Sequence, residues 1–113
     1  MPTITYDDFR KVEMHTGKIL AAESFPEAHK PAYKLTIDFG PAIGQKRSSA
    51  QITELYRKED LIGRTVVCVT NFPPKQIGPF LSEVLTLGVA DAQGHVALLG
   101  SDQKNLPLGS RIY

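Results

Sequence analysis

The chain has 113 residues, a formal net charge of +1, and 42% hydrophobic against 22% charged residues. That balance suits one soluble globular domain, residues 1–113, with a modest core, and it excludes a protein drawn to nucleic acid by its overall field. Its one cysteine, Cys68, excludes an internal disulfide, and no apolar run reaches the roughly 20 residues of a membrane span, so a cytoplasmic protein without membrane insertion is expected.

The opening MPTITYDDF lacks the basic-then-apolar pattern of a signal peptide. Thr5 can cap a short helical turn, with Asp7 and Asp8 favourably placed in its first turn. Met14 to Ser24 reads as a long strand, with Gly17 predicting a bend or bulge. FPEAHKPAY forms a proline-punctuated loop. Tyr33, Leu35, Ile37 and Phe39 alternate with Lys34, Thr36 and Asp38, the clearest half-buried strand in the chain. Gly40-Pro41 stops it and Gly44 turns the chain. Lys46 to Ile52 reads as a third strand with poor alternation, Thr53 as the cap of a short helix through Lys58, and Gly63 as its end. Thr65 to Asn71 is a near-continuous apolar run, predicting a strand covered on both faces. NFPPKQIGPF follows; adjacent prolines supply no backbone donors and fix φ, so this connection is stiff. Glu83–Val89 and His95–Leu99 flank Asp91-Ala92-Gln93-Gly94, a hairpin signal. Leu106–Tyr113 is expected to pack across the barrel.

Five short strands, a small helix between the third and fourth, and no long helix predict an all-β fold. The expected architecture is a five-stranded OB-fold Greek-key barrel with short helices. No catalytic fingerprint is present. His15, His29 and His95 are dispersed, Cys68 lies in an apolar strand, and no phosphate loop or dinucleotide motif occurs, so neither an enzyme, a metal site nor a cofactor is expected.

Binding is the class that remains. Lys30 and Lys34 lie on or beside the first proline loop, Lys46 and Arg47 open the third strand, and Lys75 sits in the second loop. Brought together, they form a groove that tracks phosphates, with Ser48, Ser49, Asn71 and Ser82 as further donors. Any one of these lysines alone reads more readily as solvated surface than as a ligand contact; it is the set, on the barrel's expected binding face, that points to contact. A different set, Phe72, Ile77 and Phe80, with Phe25 and Tyr33 as weaker candidates, can line apolar pockets for extended polypeptide.

The blocks FPEAHKPAYKL and SSAQIT…NFPPKQIGPF…SEVL, within an order similar over essentially the whole chain, resemble the CsaA family of export-associated chaperones. That family sits in a wider group of tRNA-binding barrels, including domains appended to methionyl- and phenylalanyl-tRNA synthetases. The resemblance implies an oligonucleotide-binding barrel, usually homodimeric, with tRNA as the group's partner and unfolded or export-bound polypeptides as partners of the CsaA branch. The group's loop of His-Pro-x-Ala-Asp-Lys type appears here as Phe25-Pro26-Glu27-Ala28-His29-Lys30. Asn71, Lys75, Gly78 and Ser82 match the group's second motif, but Glu83-Val84-Leu85 replaces its x-Gly-Met. A carboxylate there repels phosphate, which bears on any contact at Ser82. The segment Ile4 to Val12 is a candidate piece of the homodimer interface.

Overall fold

The computed structural model describes residues 1–113, which form nine strands and two short helices. Helix α1 (Tyr6–Arg10) begins in a full capping box: the Asp8 amide donates to the Thr5 hydroxyl at 3.2 Å, and the Thr5 amide donates to the Asp8 carboxylate at 3.0 Å. Those bonds hold the Asp8 carboxyl below its usual range, the backbone donor of Thr5 being the main cause.

The barrel is built on β1 (Met14–Ser24), long enough to serve two neighbours. Its second half pairs antiparallel with β2 (Tyr33–Asp38), and β2 pairs with β3 (Gln45–Ala50). Its first half pairs with β4 (Thr65–Val69). The register shift in β1 falls between Ile19 and Ala21, not at Gly17. Gly17 instead serves close packing, since a Cβ there would lie 2.5 Å from Ile37 Cγ2 and 2.7 Å from the Phe39 ring. The predicted bend is thus a place where the sheet closes tightly over its core.

Helix α2 (Lys58–Leu61) starts later than expected, with Arg57 rather than Thr53 at its N-cap. Tyr56 explains the delay. Its carbonyl accepts from the Tyr33 hydroxyl and its own hydroxyl accepts from the Leu98 amide, both at 2.9 Å, so tertiary bonds hold Thr53–Tyr56 in turns. α2 then delivers Leu61 fully buried into the barrel.

Beyond β4 the stiff connection contains a small hairpin of β5 (Lys75–Ile77) and β6 (Phe80–Ser82). The expected strand 83–89 divides into β7 (Leu85–Thr86), which pairs with β4, and β8 (Gly88–Ala90), which pairs with β9 (Val96–Leu98). The main sheet runs in the order β3-β2-β1-β4-β7, a nearly closed antiparallel barrel, as expected for an OB-fold. In the 91–94 turn the Asp91 carboxylate accepts from the Gln93 and His95 amides, both at 2.9 Å. The C-terminal segment lies along β1, with bonds from Thr16 to Ser110, Gly109 to Thr16 and Ile112 to Met14.

Ile19, Leu35, Ile37, Phe39, Val66 and Cys68 are the centre of the core, which Ile52, Leu61 and Val84 complete. Val67 is only half-buried and Thr65 exposed, so β4 is not covered on both faces. Burial pushes the Cys68 thiol up to about 11 from 9.0, against a small opposing effect of its bond to Thr86. No helix is long and apolar enough to cross a membrane.

Candidate functional site

The two proline-stiffened loops meet on the outside of the barrel. Phe25, which opens loop 25–32, and Phe80 of β6 are both buried, with ring centroids 5.3 Å apart and planes at 60°. Ala32, with Ala28 and Ile77 against it, completes a small apolar cluster separate from the main core. Gly78, at φ +55°, lets the chain reverse between β5 and β6 and brings Phe80 back onto Phe25. Cations bracket the aromatic pair: Lys34 Nζ lies 5.5 Å from the Phe25 ring centre, and the Arg47 guanidinium 4.6 Å from that of Phe80. The pair therefore locks loop 25–32, which carries Lys30, to the hairpin that carries Lys75.

Beside this cluster opens a groove of about 740 Å³, between the end of β3, the 72–77 segment and β7. Phe72, Ile77, Leu85 and Leu87 are among its apolar walls, and Lys75 and Glu83 are its charged members. Phe72 is half-exposed at 51% and Leu85 at 46%, so apolar surface here stands open to solvent. Gln51, Leu85 and Leu87 join the groove without any signal in the sequence. They lie in segments whose alternation is too short to assign a face.

The barrel's remaining seam, between β3 and the β6–β7 segment, is closed largely by side chains. One backbone bond crosses it, from the Glu83 amide to the Arg47 carbonyl at 2.8 Å. The Arg47 amide donates instead to the Glu83 carboxylate, and the Ser49 amide to the Ser82 hydroxyl, each at 3.0 Å. Two side chains thus stand in for strand carbonyls. Lys46 Nζ lies 4.0 Å from the same carboxylate.

These contacts sort the residues picked from sequence. Lys30, Lys34 and Lys75 form no ion pair or hydrogen bond through their side chains, and all three belong to the elements joined by the Phe25–Phe80 contact. Ser49 is half-buried and lines the groove. Lys46 is held by Glu83, and Arg47 pairs with Glu23 at 3.2 Å. Ser82 is engaged in the seam. Ser48 is fully buried and accepts from the Thr86 hydroxyl at 2.9 Å, so it faces the core rather than a ligand. Asn71 holds the segment after α1, accepting from the Glu13 amide at 3.0 Å and donating to the Lys11 carbonyl at 2.7 Å. Of the apolar candidates, Phe72 and Ile77 line the groove, whereas Phe80 is 4% exposed and positions loops rather than presenting a surface. Phe25 is buried against it, and Tyr33 packs on the main core.

A nearly closed five-stranded barrel with two rigid, lysine-bearing loops beside an open groove defines an oligonucleotide-binding-fold module. Comparison with known proteins is specific about which kind. The family described as "Putative tRNA binding domain" matches residues 14–111. Methionine–tRNA ligase 1 of Sorangium cellulosum is 40% identical over 114 residues, covering 99% of this chain. The chain spans only 16% of that ligase's length. A CsaA chaperone protein from Picrophilus torridus is similar at 50% identity and a TM-score of 0.90, covering 98% of this chain and 100% of that one. Chaperone CsaA of Bacillus anthracis str. Ames matches at 46% identity and a TM-score of 0.91, covering 99% of this chain and all of its own. The chain belongs to the tRNA-binding domain family, and within it to the CsaA type.

Proposed function

We propose that the chain binds folded tRNA by shape and phosphate contacts, with Lys30, Lys34 and Lys75 as the phosphate-holding cations and Ser49 as a polar contact beside them. The observation that carries this reading is the locked pair of loops. Three lysines without carboxylate partners are borne on elements fixed to one another by the buried Phe25–Phe80 contact. Ordering cost on binding is then low, because the backbone that carries the charges is already rigid. Lys46 and Arg47 add to the local field while bound to Glu83 and Glu23. Ser82 and Asn71 act through the seam and the N-terminal tether, as positioning residues. Membership of the tRNA-binding domain family supports the same reading.

A second reading, binding of unfolded or export-bound polypeptide, is favoured by one observation: the groove beside these lysines is walled by apolar side chains, two of them half-exposed. The CsaA chaperones to which the chain is similar are consistent with it. On this reading Phe72 and Ile77 receive apolar side chains of an extended segment. A homodimer accords with the exposed apolar residues of the N-terminal segment, Ile4 at 67% and Tyr6 at 66%. A role in protein export and a cytoplasmic location complete the proposal.

Titrating tRNA and a chemically unfolded protein against the same sample at two salt concentrations tests both readings. RNA held through phosphates weakens steeply as salt rises, whereas apolar polypeptide binding does not. Salt-insensitive or absent tRNA binding refutes the first reading. Unimpaired suppression of client aggregation by Phe72→Ala refutes the second.

A further inference from the structure

We propose a second phosphate-binding groove, lined by Lys18, Arg64 and Lys104, that takes a backbone phosphate of the same bound RNA; it rests on the tRNA reading above. The groove has a volume of about 600 Å³ and adjoins the first at Leu98, which lines both. Only four of its 13 lining residues are hydrophobic, and none is acidic. Three cations in one groove is a marked local excess in a chain whose net charge is +1. Thr65, Ser101, Gln103 and Asn105 line it as well. Arginine and lysine with short hydroxyl and amide side chains are the groups that contact nucleic-acid phosphates.

The state of the three cations separates this groove from ordinary charged surface. Elsewhere Lys11, Lys46, Arg47 and Arg57 are each paired with a carboxylate, Lys58 donates to Ser24 and Arg111 to a backbone carbonyl. Apart from Arg10, the cations without an ion pair or hydrogen bond fall into two sets. One is Lys30, Lys34 and Lys75; the other is Lys18, Arg64 and Lys104. Arg64 lies over the Tyr56 ring at 5.0 Å and makes no hydrogen bond or ion pair within the chain, although its charge also acts on Asp60. The neighbouring carboxylates are engaged or lie outside the lining. Asp60 is bonded to Arg57 at 3.1 and 3.2 Å, Asp38 accepts from the Gly40 amide, and Asp102 belongs to the 100–106 loop without lining the groove.

That loop adds a further mark. Asn105, at φ +63°, is the only non-glycine residue with positive φ, and it sits in the groove wall next to Lys104. The amides of Ser101, Asp102, Lys104 and Asn105 donate to nothing within the chain. Free backbone donors beside unpaired cations are the composition of an anion site. The two grooves share Leu98 and the first contains Lys75, so an RNA seated there extends toward the second.

The test is the salt dependence of tRNA binding for the wild type and for Lys18→Gln with Lys104→Gln, both exposed positions whose replacement leaves the core intact. Arg64 is left in place because it packs on Tyr56. The expected result is several-fold weaker binding, with a log–log salt slope shallower by about 2, roughly one per lysine removed. A steep wild-type slope that the double variant leaves unchanged overturns the second groove but not the tRNA reading. No salt-dependent binding by the wild type overturns both. Inorganic pyrophosphate, titrated in parallel, identifies the source of the phosphate. An unaltered tRNA slope overturns the proposal in either case: with pyrophosphate binding lost, the groove takes a small anion rather than RNA, and with it kept, the groove binds no phosphate.

Discussion

Replacing Glu83 with alanine removes the acceptor that holds the Arg47 amide across the barrel seam at 3.0 Å. The amide is partly buried, so losing a charge-assisted bond costs about 1.5–3 kcal/mol. The Lys46 contact, at 4.0 Å between side chains about one-third exposed, adds at most ~1 kcal/mol. Glu83→Ala is therefore expected to destabilise the fold by about 2–3 kcal/mol. Glu83→Gln, which keeps a carbonyl oxygen and loses only charge, should cost about 1 kcal/mol. Ser82→Ala leaves the Ser49 amide without its 3.0 Å partner, for about 1–2 kcal/mol. The two bonds lie on one seam, so the double variant should depart from additivity. Urea unfolding followed by far-UV circular dichroism measures these costs, with a melting shift of about 3–5 °C per kcal/mol as a second readout. Glu83→Ala and Ser82→Ala both within ~0.5 kcal/mol of wild type would show that the side chains do not hold the seam.

Two further outcomes follow from the packing. Phe80→Ala should cost about 3 kcal/mol, less than a main-core phenylalanine at the upper end of the range, because Phe80 packs in the small cluster. It should also weaken tRNA binding by releasing the Lys30 and Lys75 loops, seen as faster amide exchange in residues 25–32. Cys68 makes stability depend on alkaline pH. The folded thiol titrates at about 11 and its unfolded counterpart at 9.0, so above pH 9 the unfolded chain alone loses its proton. Stability is full below pH 9 and falls by of order 1 kcal/mol by pH 10, an effect that Cys68→Ala should abolish in urea melts at pH 8 and 10.

How far the fold could be read from the chain depended on whether the determining contacts were local. The alternation of Tyr33, Leu35, Ile37 and Phe39 is intrinsic to one strand, and β2 lies where it was expected. The Thr5 cap likewise needs only Asp8, three residues away. Thr53 failed as a cap because Tyr56 is held by Tyr33 and Leu98, which are distant in sequence. Phe80 reads as a wall of an apolar pocket for polypeptide, yet the turn at Gly78 carries it onto Phe25, where it is buried. Ser82 and Glu83 read as ligand contact and as repulsion of ligand. Their role in closing the barrel is set by β3, 33 and 36 residues earlier, which no pattern in their own segment reveals. Loop and strand positions group Lys30, Lys34 and Lys75 with Lys46 and Arg47; which of the five lack carboxylate partners is a fact of the folded surface.

The central claim is that those three unpaired lysines hold RNA phosphates. Fluorescence anisotropy of labelled tRNA across a salt series, with wild type and Lys30→Ala/Lys75→Ala confirmed as folded, tests it most directly. The account predicts at least tenfold weaker binding by the double variant, with a slope shallower by about 2. Tight tRNA binding with an unchanged slope in that variant would contradict it.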